Sequence, residues 1–126
     1  MKNRIEIITA NIEASTLFLI AAPYKQDEQE LKPKGQMLVD SDQLSFIYIL
    51  ENKEDFVYVG IPHEWWPLFR EAQEIGVEVK LNVNNKEIEL VDIFNELDYL
   101  VENIKDNANY GEDMEQKVIE HFGLEK

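Results

Sequence analysis

The first half of the chain consists largely of short apolar segments that predict β-strands. Ile5 and Ile7 alternate with polar residues, and after a slip Ala10 and Ile12 continue the pattern, which indicates a first strand. Three further segments are apolar at both odd and even positions, residues 17–20, 46–50 and 56–59. Such segments are typical of strands that are buried on both faces. Residues 52–55 would join the last two segments as a hairpin.

A second hairpin has a one-sided pattern. Apolar and polar residues alternate over residues 77–83 and again over residues 87–90. Asn84 and Asn85 lie between these segments, and both tolerate the positive φ angles of a two-residue turn. We therefore expect one face of this hairpin to remain in water, with Glu78, Lys80, Glu87 and Glu89 on it.

Apolar residues at three- and four-residue spacing predict three helices. These helices span about residues 62–76, 92–105 and 111–121. Pro67 must lie in the first turn of the first helix, or that helix begins at Pro67. Gly76 and Gly123 are expected stops, and Asp92 is a potential N-terminal cap. The apolar stripes are Trp65, Leu68, Phe69 and Ala72; Ile93, Leu97, Leu100, Val101 and Ile104; and Met114, Val118 and Phe122.

The order of these elements predicts the fold class. Strands come first and helices last, and residues 23–35 form the one long loop candidate. We predict a single α+β domain over residues 1–126, with an antiparallel, meander-like sheet and about three helices packed against it. Three helices leave part of so apolar a sheet uncovered, so either the sheet curls on itself or a second copy covers the remaining face.

The charge of the chain excludes several classes of partner. Residues 87–126 contain twelve acidic and three basic residues, a net charge of −9, whereas residues 1–86 contain fourteen acidic and nine basic residues, a net charge of −5. This excess argues against direct binding of nucleic acid or of an anionic membrane. The total charge of −14 also opposes self-association, so we favour a monomer, with a homodimer as the alternative.

Two further observations bear on the compartment. The chain has no cysteine, which excludes disulfides, thiolate zinc sites and thiol catalysis. The apolar run at residues 16–22 is short for the core of a signal peptide and far below the ~20 residues that span a bilayer. We therefore predict a cytoplasmic protein.

The second predicted helix carries like charges four residues apart. Each pair costs about 0.2–0.5 kcal/mol in an isolated helix, and the apolar stripe, at about 1.5–3 kcal/mol per buried side chain, outweighs that cost. The acidic face is therefore either an ordinary solvated surface or a docking surface for a basic protein, with weak cation binding as a third interpretation. The pairs are Asp92 and Glu96, Asp98 and Glu102, and Glu102 and Asp106.

Residues 40–42, Asp-Ser-Asp, resemble the beginning of a calcium-binding loop. Such a loop needs an oxygen ligand at its fifth position and glycine at its sixth, but Leu44 and Ser45 occupy these positions. We therefore interpret residues 40–42 as a turn.

The two histidines are the most plausible acid–base groups. His63 and His121 are too few for a three-histidine zinc site, and each lies at a predicted helix end, where His121 would be favoured as a cation at a C-terminus. No set of residues combines a nucleophile, a base and an oxyanion donor at recognisable spacing. We therefore predict no catalytic residue, cofactor or metal, and regard the chain as a non-enzyme.

Several stretches resemble a known family. Residues 35–42 (Gly-Gln-Met-Leu-Val-Asp-Ser-Asp), leading into residues 46–48, and residues 103–111, which are rich in asparagine, carry the likeness. Residues 96–99, Leu68 and one of the tryptophans at 65 and 66 extend it. Over roughly residues 35–122 the chain resembles the YjbL-like family of small uncharacterised proteins from Bacillus, Staphylococcus and relatives. The resemblance implies a Gram-positive cytoplasmic protein and brings no activity.

The most plausible function is a non-enzymatic interaction or regulatory module that presents an acidic helical surface to a basic protein partner. One alternative is a small-ligand binder or enzyme with a carboxylate or histidine pocket, and another is a nucleic-acid mimic. Trp66, at the margin of its apolar stripe, is either a core-edge residue or a partly exposed anchor. The candidate partner surface comprises Trp66, Asp92, Glu96, Asp98, Glu102, Asp106, Asn107, Asn109 and Tyr110.

Overall fold

The computed structural model describes residues 3–25, 31–53, 55–105 and 107–122. The strands within these ranges are β1 (Arg4–Glu13), β2 (Thr16–Ala21), β3 (Lys32–Asp40), β4 (Ser45–Glu51), β5 (Phe56–Pro62), β6 (Glu78–Val83) and β7 (Lys86–Glu89). The helices are α1 (Trp66–Ile75), α2 (Ile93–Ile104) and α3 (Glu112–Phe122). Two short 3-10 turns, His63–Trp65 and Ala108–Tyr110, precede α1 and α3.

The strands form a mixed sheet in the order β3-β4-β5-β1-β2-β6-β7. β1 runs parallel to β5, where Arg4 pairs with Tyr58, and β2 runs parallel to β6, where Thr16 pairs with Glu78. The predicted antiparallel meander is therefore wrong. The β1–β2 hairpin lies between β5 and β6, which makes a parallel pair on each side of it. Apolar patterns locate strands along the chain, but they do not indicate which distant strands become neighbours.

The sheet curls into a half-barrel whose concave side holds the core. α1 packs against β1 and β2, α2 packs against β3, and α3 packs against both α1 and α2. Curling was one of the two solutions expected for so apolar a sheet. The monomeric state itself stays a prediction. The largest fully buried side chains include Trp66, Tyr48, Phe46, Phe69 and Leu17.

Burial on both faces is confirmed for β4 and is wrong for β2. Residues 45–50 are all buried, and Ile47 on β4 and Val57 on β5 have no exposed surface. In β2, Leu17 and Leu19 are buried, but Ile20 is 44% exposed. Ile20 pairs with Asn82 of β6, on a face of the sheet that carries polar residues. An apolar residue at every position therefore does not guarantee two covered faces.

The predicted turns and the slip in the first strand are confirmed. Asn84 and Asn85 have φ angles of 50° and 73° between β6 and β7. The backbone N–H of Asn52 donates to the carbonyl of Asp55 at 2.9 Å and closes the β4–β5 hairpin. The register of β1 against β2 shifts between Ile7 and Thr9. Residues 40–42 also lead into a turn, because the carboxylate of Asp40 accepts a hydrogen bond from the backbone N–H at position 43.

The predicted loop 23–35 is shorter than expected, because β3 begins at Lys32. Residues 26–30 lie outside the described residues. Lys32, Pro33 and Lys34 suggested a loop, but lysine and proline are also the residues that protect an edge strand from further pairing. β3 is an edge strand in the sheet order, so its sequence pattern reflects that position.

The bounds of the helices agree closely with the prediction, but the stripe of α1 is wrong in part, because Trp65 and Leu68 are half-buried and Trp66 is buried. α1 begins at Trp66 with Pro67 in its first turn and ends at Gly76, whose φ of 74° is left-handed. The predicted apolar residues of α2 and α3 are buried. Asp92 occupies the N-cap position of α2 with a φ of 60°, but its side chain makes no capping hydrogen bond. The expected stop at Gly123 lies outside the described residues.

Candidate functional site

Residues 35–42, the most specific part of the family resemblance, attach the edge strand β3 to the start of α2. Gly35 has a φ of +74°, and a Cβ at this position would lie 3.4 Å from Oδ2 of Asp92. The backbone N–H of Met37 donates to Oε1 of Glu96 at 3.3 Å. Asp92 and Glu96 were predicted to face a basic partner. The structure places both beside β3, where Glu96 accepts this hydrogen bond and the exposed Asp92 lies next to Gly35.

Tyr48 forms a second link between the two ends of the sheet. Its side chain is fully buried, and its hydroxyl donates to the carbonyl of Val91 at 2.6 Å. Burial raises the pKa of Tyr48 to about 12, the hydrogen bond with the backbone of Gly35 opposes the rise, and nearby carboxylates add to it. A phenol held neutral in this way is a structural group, because it stays a hydrogen-bond donor throughout the neutral range. The carboxylates are those of Asp92, Glu96 and Glu89.

An ion-pair network joins β1 to the far end of β3. The guanidinium of Arg4 donates to Asp40 Oδ2 at 2.6 Å and, through Nε, to the carboxylate of Glu6. β4 and β5 lie between β1 and β3, so this network crosses two strands. The carboxylate of Glu6 lies directly over Gly60, where a Cβ would be 2.5 Å from Glu6 Oε1. Ile47 pairs with Gly60 and is fully buried, so the network covers this part of the second face.

The same network borders a polar cleft of about 580 Å³, lined by Arg4, Glu6, Val39 and the turn at residues 40–43. Burial alone would raise the pKa of Asp40, but the hydrogen bond from Arg4 and the backbone bonds of the turn outweigh burial and lower it. Arg4 is therefore shared between two carboxylates, so this group of three side chains keeps one negative charge. This arrangement accounts for the Asp-Ser-Asp sequence as part of the fold.

The outward face of α2 is different. Asp98, Tyr99 and Glu102 are all exposed, and Tyr99 is 66% exposed, the largest value among the big apolar side chains that the structure describes. Asp98 accepts a hydrogen bond from the amide of Gln73 on α1, and Glu102 lies 3.6 Å from the ammonium of Lys105. We refer to Asp98, Tyr99 and Glu102 as the Tyr99 face.

Trp66 is not part of an exposed partner surface, because its indole is completely buried. Its Nε1–H donates to the carbonyl of Ile61 at 3.0 Å, and its ring packs against Phe46 with centroids 4.6 Å apart. The 3-10 turn before α1 rotates this residue into the core. Trp65 is half-buried and donates to the carbonyl of Ile7 at 3.3 Å.

The asparagine-rich segment turns the chain between α2 and α3. The side chain of Asn107 accepts a hydrogen bond from the backbone N–H of Asn109 at 3.0 Å, and Tyr110 packs partly against the core. Asn109 is exposed, and Asp106 lies outside the described residues. Among the described members of the candidate surface in this segment, Asn109 is exposed, whereas Asn107 and Tyr110 are half-buried.

The two histidines, 58 positions apart in the sequence, lie side by side. The ring centroids of His63 and His121 are 6.4 Å apart, with an angle of 26° between the ring planes. Both are half-buried and lie against the edge or face of Trp66. Sequence reasoning placed each at a helix end but did not bring the two together.

No group of three or more potential metal ligands occurs among the described residues. Within the same part of the chain, no helix is both long and apolar enough to cross a membrane.

The comparisons with known proteins agree with the resemblance. The model of a family of unknown function, UPF0738, matches residues 5–122. The UPF0738 protein YjbL of Bacillus subtilis is 49% identical over 122 residues, which are 97% of this chain and 99% of that protein. The UPF0738 proteins of Bacillus licheniformis and Bacillus pumilus are 48% and 45% identical, with the same coverage. No solved structure matches.

The chain therefore belongs to the UPF0738 family. The match includes residues 5–34, which the resemblance did not cover, so β1, β2 and the start of β3 are part of the shared domain. The family description assigns no activity, and the likeness to YjbL adds no chemistry to the geometry described above.

Proposed function

We propose that the protein is a non-enzymatic interaction module that presents the Tyr99 face of α2 to a basic protein partner. The observation that carries this proposal is the 66% exposure of Tyr99 between two exposed carboxylates, Asp98 and Glu102. Tyrosine is enriched among the residues that dominate binding energy in protein interfaces, because it offers a large contact area at a low cost in conformational entropy.

The opposite side of α2 supports this role, because it holds the helix firmly. Leu97, Leu100, Val101 and Ile104 are all buried in the core. A helix fixed in this way loses little conformational freedom on binding, so more of the contact energy is available for affinity. The hydrogen bond from Gln73 to Asp98 also ties α2 to α1 on the exposed side.

Charge specifies the chemistry of the partner. Residues 87–126 carry a net charge of −9, and the Tyr99 face lies within them. Exposed charges of this kind accelerate association with a basic surface and are screened beyond about 8–10 Å at ordinary ionic strength. Asp92 and Glu96 are not part of the proposed interface because they bind and border β3.

The test begins with affinity purification of the tagged protein from its own host and continues with the association kinetics of each purified candidate. We expect Tyr99→Ala to weaken binding about tenfold or more, as for an interface anchor. Glu102→Lys should slow association and reduce its dependence on salt. Ile75→Ala and Glu13→Lys are matched controls, because Ile75 is 58% exposed on α1 and Glu13 is exposed on β1.

A true partner must bind both control variants like the wild type. Equal binding to Tyr99→Ala, Glu102→Lys and the wild type, at every salt concentration, would remove the Tyr99 face from the mechanism. Circular dichroism of each variant would establish that the fold is intact, because both substituted side chains lie outside the core.

A further inference from the structure

The histidine pair is a cluster that the proposed interaction surface does not use. The chain contains two histidines, and the fold brings both against one face of the core. His63 lies on the 3-10 turn that follows β5, and His121 lies in the last turn of α3. Trp66 contacts both rings, with centroids 6.3 Å from His63 and 6.1 Å from His121.

We propose that His63 and His121 form a pH-sensitive latch that holds the end of α3 against the core at neutral pH and releases it in mild acid. In the structure the two imidazole rings stack beside Trp66. When both become charged, two like charges face each other at this short distance, next to an apolar cluster that solvates them poorly. The proposal is independent of the Tyr99 face.

The surroundings of His121 favour its neutral form. Burial lowers the pKa of His121, Glu120 opposes that effect, and Lys117 and His63 add to it. Two titratable groups of α3, Glu120 and Lys117, act electrostatically on His121, and His63 does so from the 3-10 turn. From α1 the ring meets Trp66, which is neutral. A base whose pKa is lowered by folding stabilises the fold above its unfolded pKa, about 6.5, and that stability is lost as the pH falls.

The latch acts on a short element with few other anchors. α3 is attached through Met114, Val118 and Phe122, and Phe122 packs against Trp66 with centroids 5.8 Å apart. Release of the last turn would therefore uncover the indole of Trp66. Local opening of a single helix turn can occur without global unfolding, and the latch would act on such an opening.

Hydrogen exchange and fluorescence test the latch directly, in buffer with a metal chelator. We expect backbone amides of α3 to exchange about tenfold faster at about pH 5.5 than at about pH 7.5, after correction for intrinsic chemistry, while β4 stays protected. In a Trp65→Phe background, the emission of Trp66 should shift to the red over the same range. His63→Gln and His121→Gln, singly and together, should abolish both changes.

Two results would overturn the proposal: unchanged protection of α3 across this pH range, or a transition that persists in the double variant. If the variants fail to fold at neutral pH, NMR titration of the wild-type imidazoles replaces them. Mutual repulsion then predicts that the two rings titrate as a coupled pair. Two independent titrations at the usual pKa of histidine would contradict the latch.

Discussion

Replacement of Tyr48 by phenylalanine tests how the two ends of the sheet are joined. The change removes one hydroxyl from a fully buried ring and with it the hydrogen bond to the carbonyl of Val91, which is 2.6 Å long. The carbonyl of Val91 loses this donor, and Val91 itself is 40% exposed. We therefore expect a loss in the free energy of unfolding of about 1 kcal/mol at about pH 8, within the usual range for one neutral hydrogen bond.

The same substitution should change how stability depends on alkaline pH. Folding raises the pKa of Tyr48 from 10.0 to about 12, so this group stabilises the fold below pH 10 and loses that contribution as the pH rises towards the folded value. Without screening, this loss would be about 1.4 kcal/mol of unfolding free energy for each pH unit above the unfolded pKa. With solvent screening, we expect a loss of about 1 kcal/mol by about pH 11. Wild type and variant should then be nearly equal in stability at about pH 11.

Urea unfolding followed by tryptophan fluorescence measures both effects. All other titrating groups are common to the two proteins, so they cancel in the difference. Tyr99→Phe is the matched control, because it removes the same hydroxyl from a ring that is 66% exposed and lies outside the core. A stability difference for Tyr48→Phe that stays constant between about pH 8 and about pH 11 would refute the buried, neutral phenol. Equal stability at about pH 8 would refute the hydrogen bond.

Three further substitutions test other links. Gly35→Ala should lower stability by about 1–2 kcal/mol in urea unfolding, because φ is +74° there. Arg4→Met should cost about 1–3 kcal/mol at neutral pH, and the cost should vanish in acid, because the lowered pKa of Asp40 contributes stability only above its unfolded pKa. Trp66→Phe should cost about 1–3 kcal/mol and more than Trp65→Phe, because each change removes one indole donor but Trp66 is completely buried whereas Trp65 is half-buried. The opposite ranking would contradict the burial of Trp66.

Sequence patterns predicted the local elements well because neighbouring residues determine them. The slip in β1, the two-asparagine turn and the stripes of α2 and α3 all follow from residues close together in the chain. β3 was missed, since its lysine, proline and glycine residues resemble a loop. The parallel pairs were missed because they depend on contacts between distant segments, which a single sequence does not display.

The candidate surface could be predicted only in outline. The sequence showed that α2 is acidic, but it did not show which carboxylates face solvent and which bind the sheet. Glu96 accepts a hydrogen bond from β3, a strand that the sequence did not predict. A signal for Tyr99 was present in the sequence. It lies off the apolar stripe of α2, and an aromatic residue on the polar side of a helix is a candidate contact residue. The sequence placed Trp66 at the margin of the apolar stripe of one continuous helix. In the structure a 3-10 turn ends at Trp65 and α1 begins at Trp66, and the side chain of Trp66 is buried in the core.

The position of the β1–β2 hairpin has a consequence for how the chain folds. The hairpin is made before β5 and β6, which complete its two sides. The paired positions Arg4–Tyr58 and Thr16–Glu78 are 54 and 62 residues apart in the chain. Closing such long segments costs entropy before any contact compensates it, and folds of this kind form slowly. Until β5 has been made, both edges of the hairpin stay open to incorrect pairing, and the β2 edge stays open until β6 has been made as well. The nascent protein is therefore most vulnerable to aggregation before its acidic C-terminal third exists.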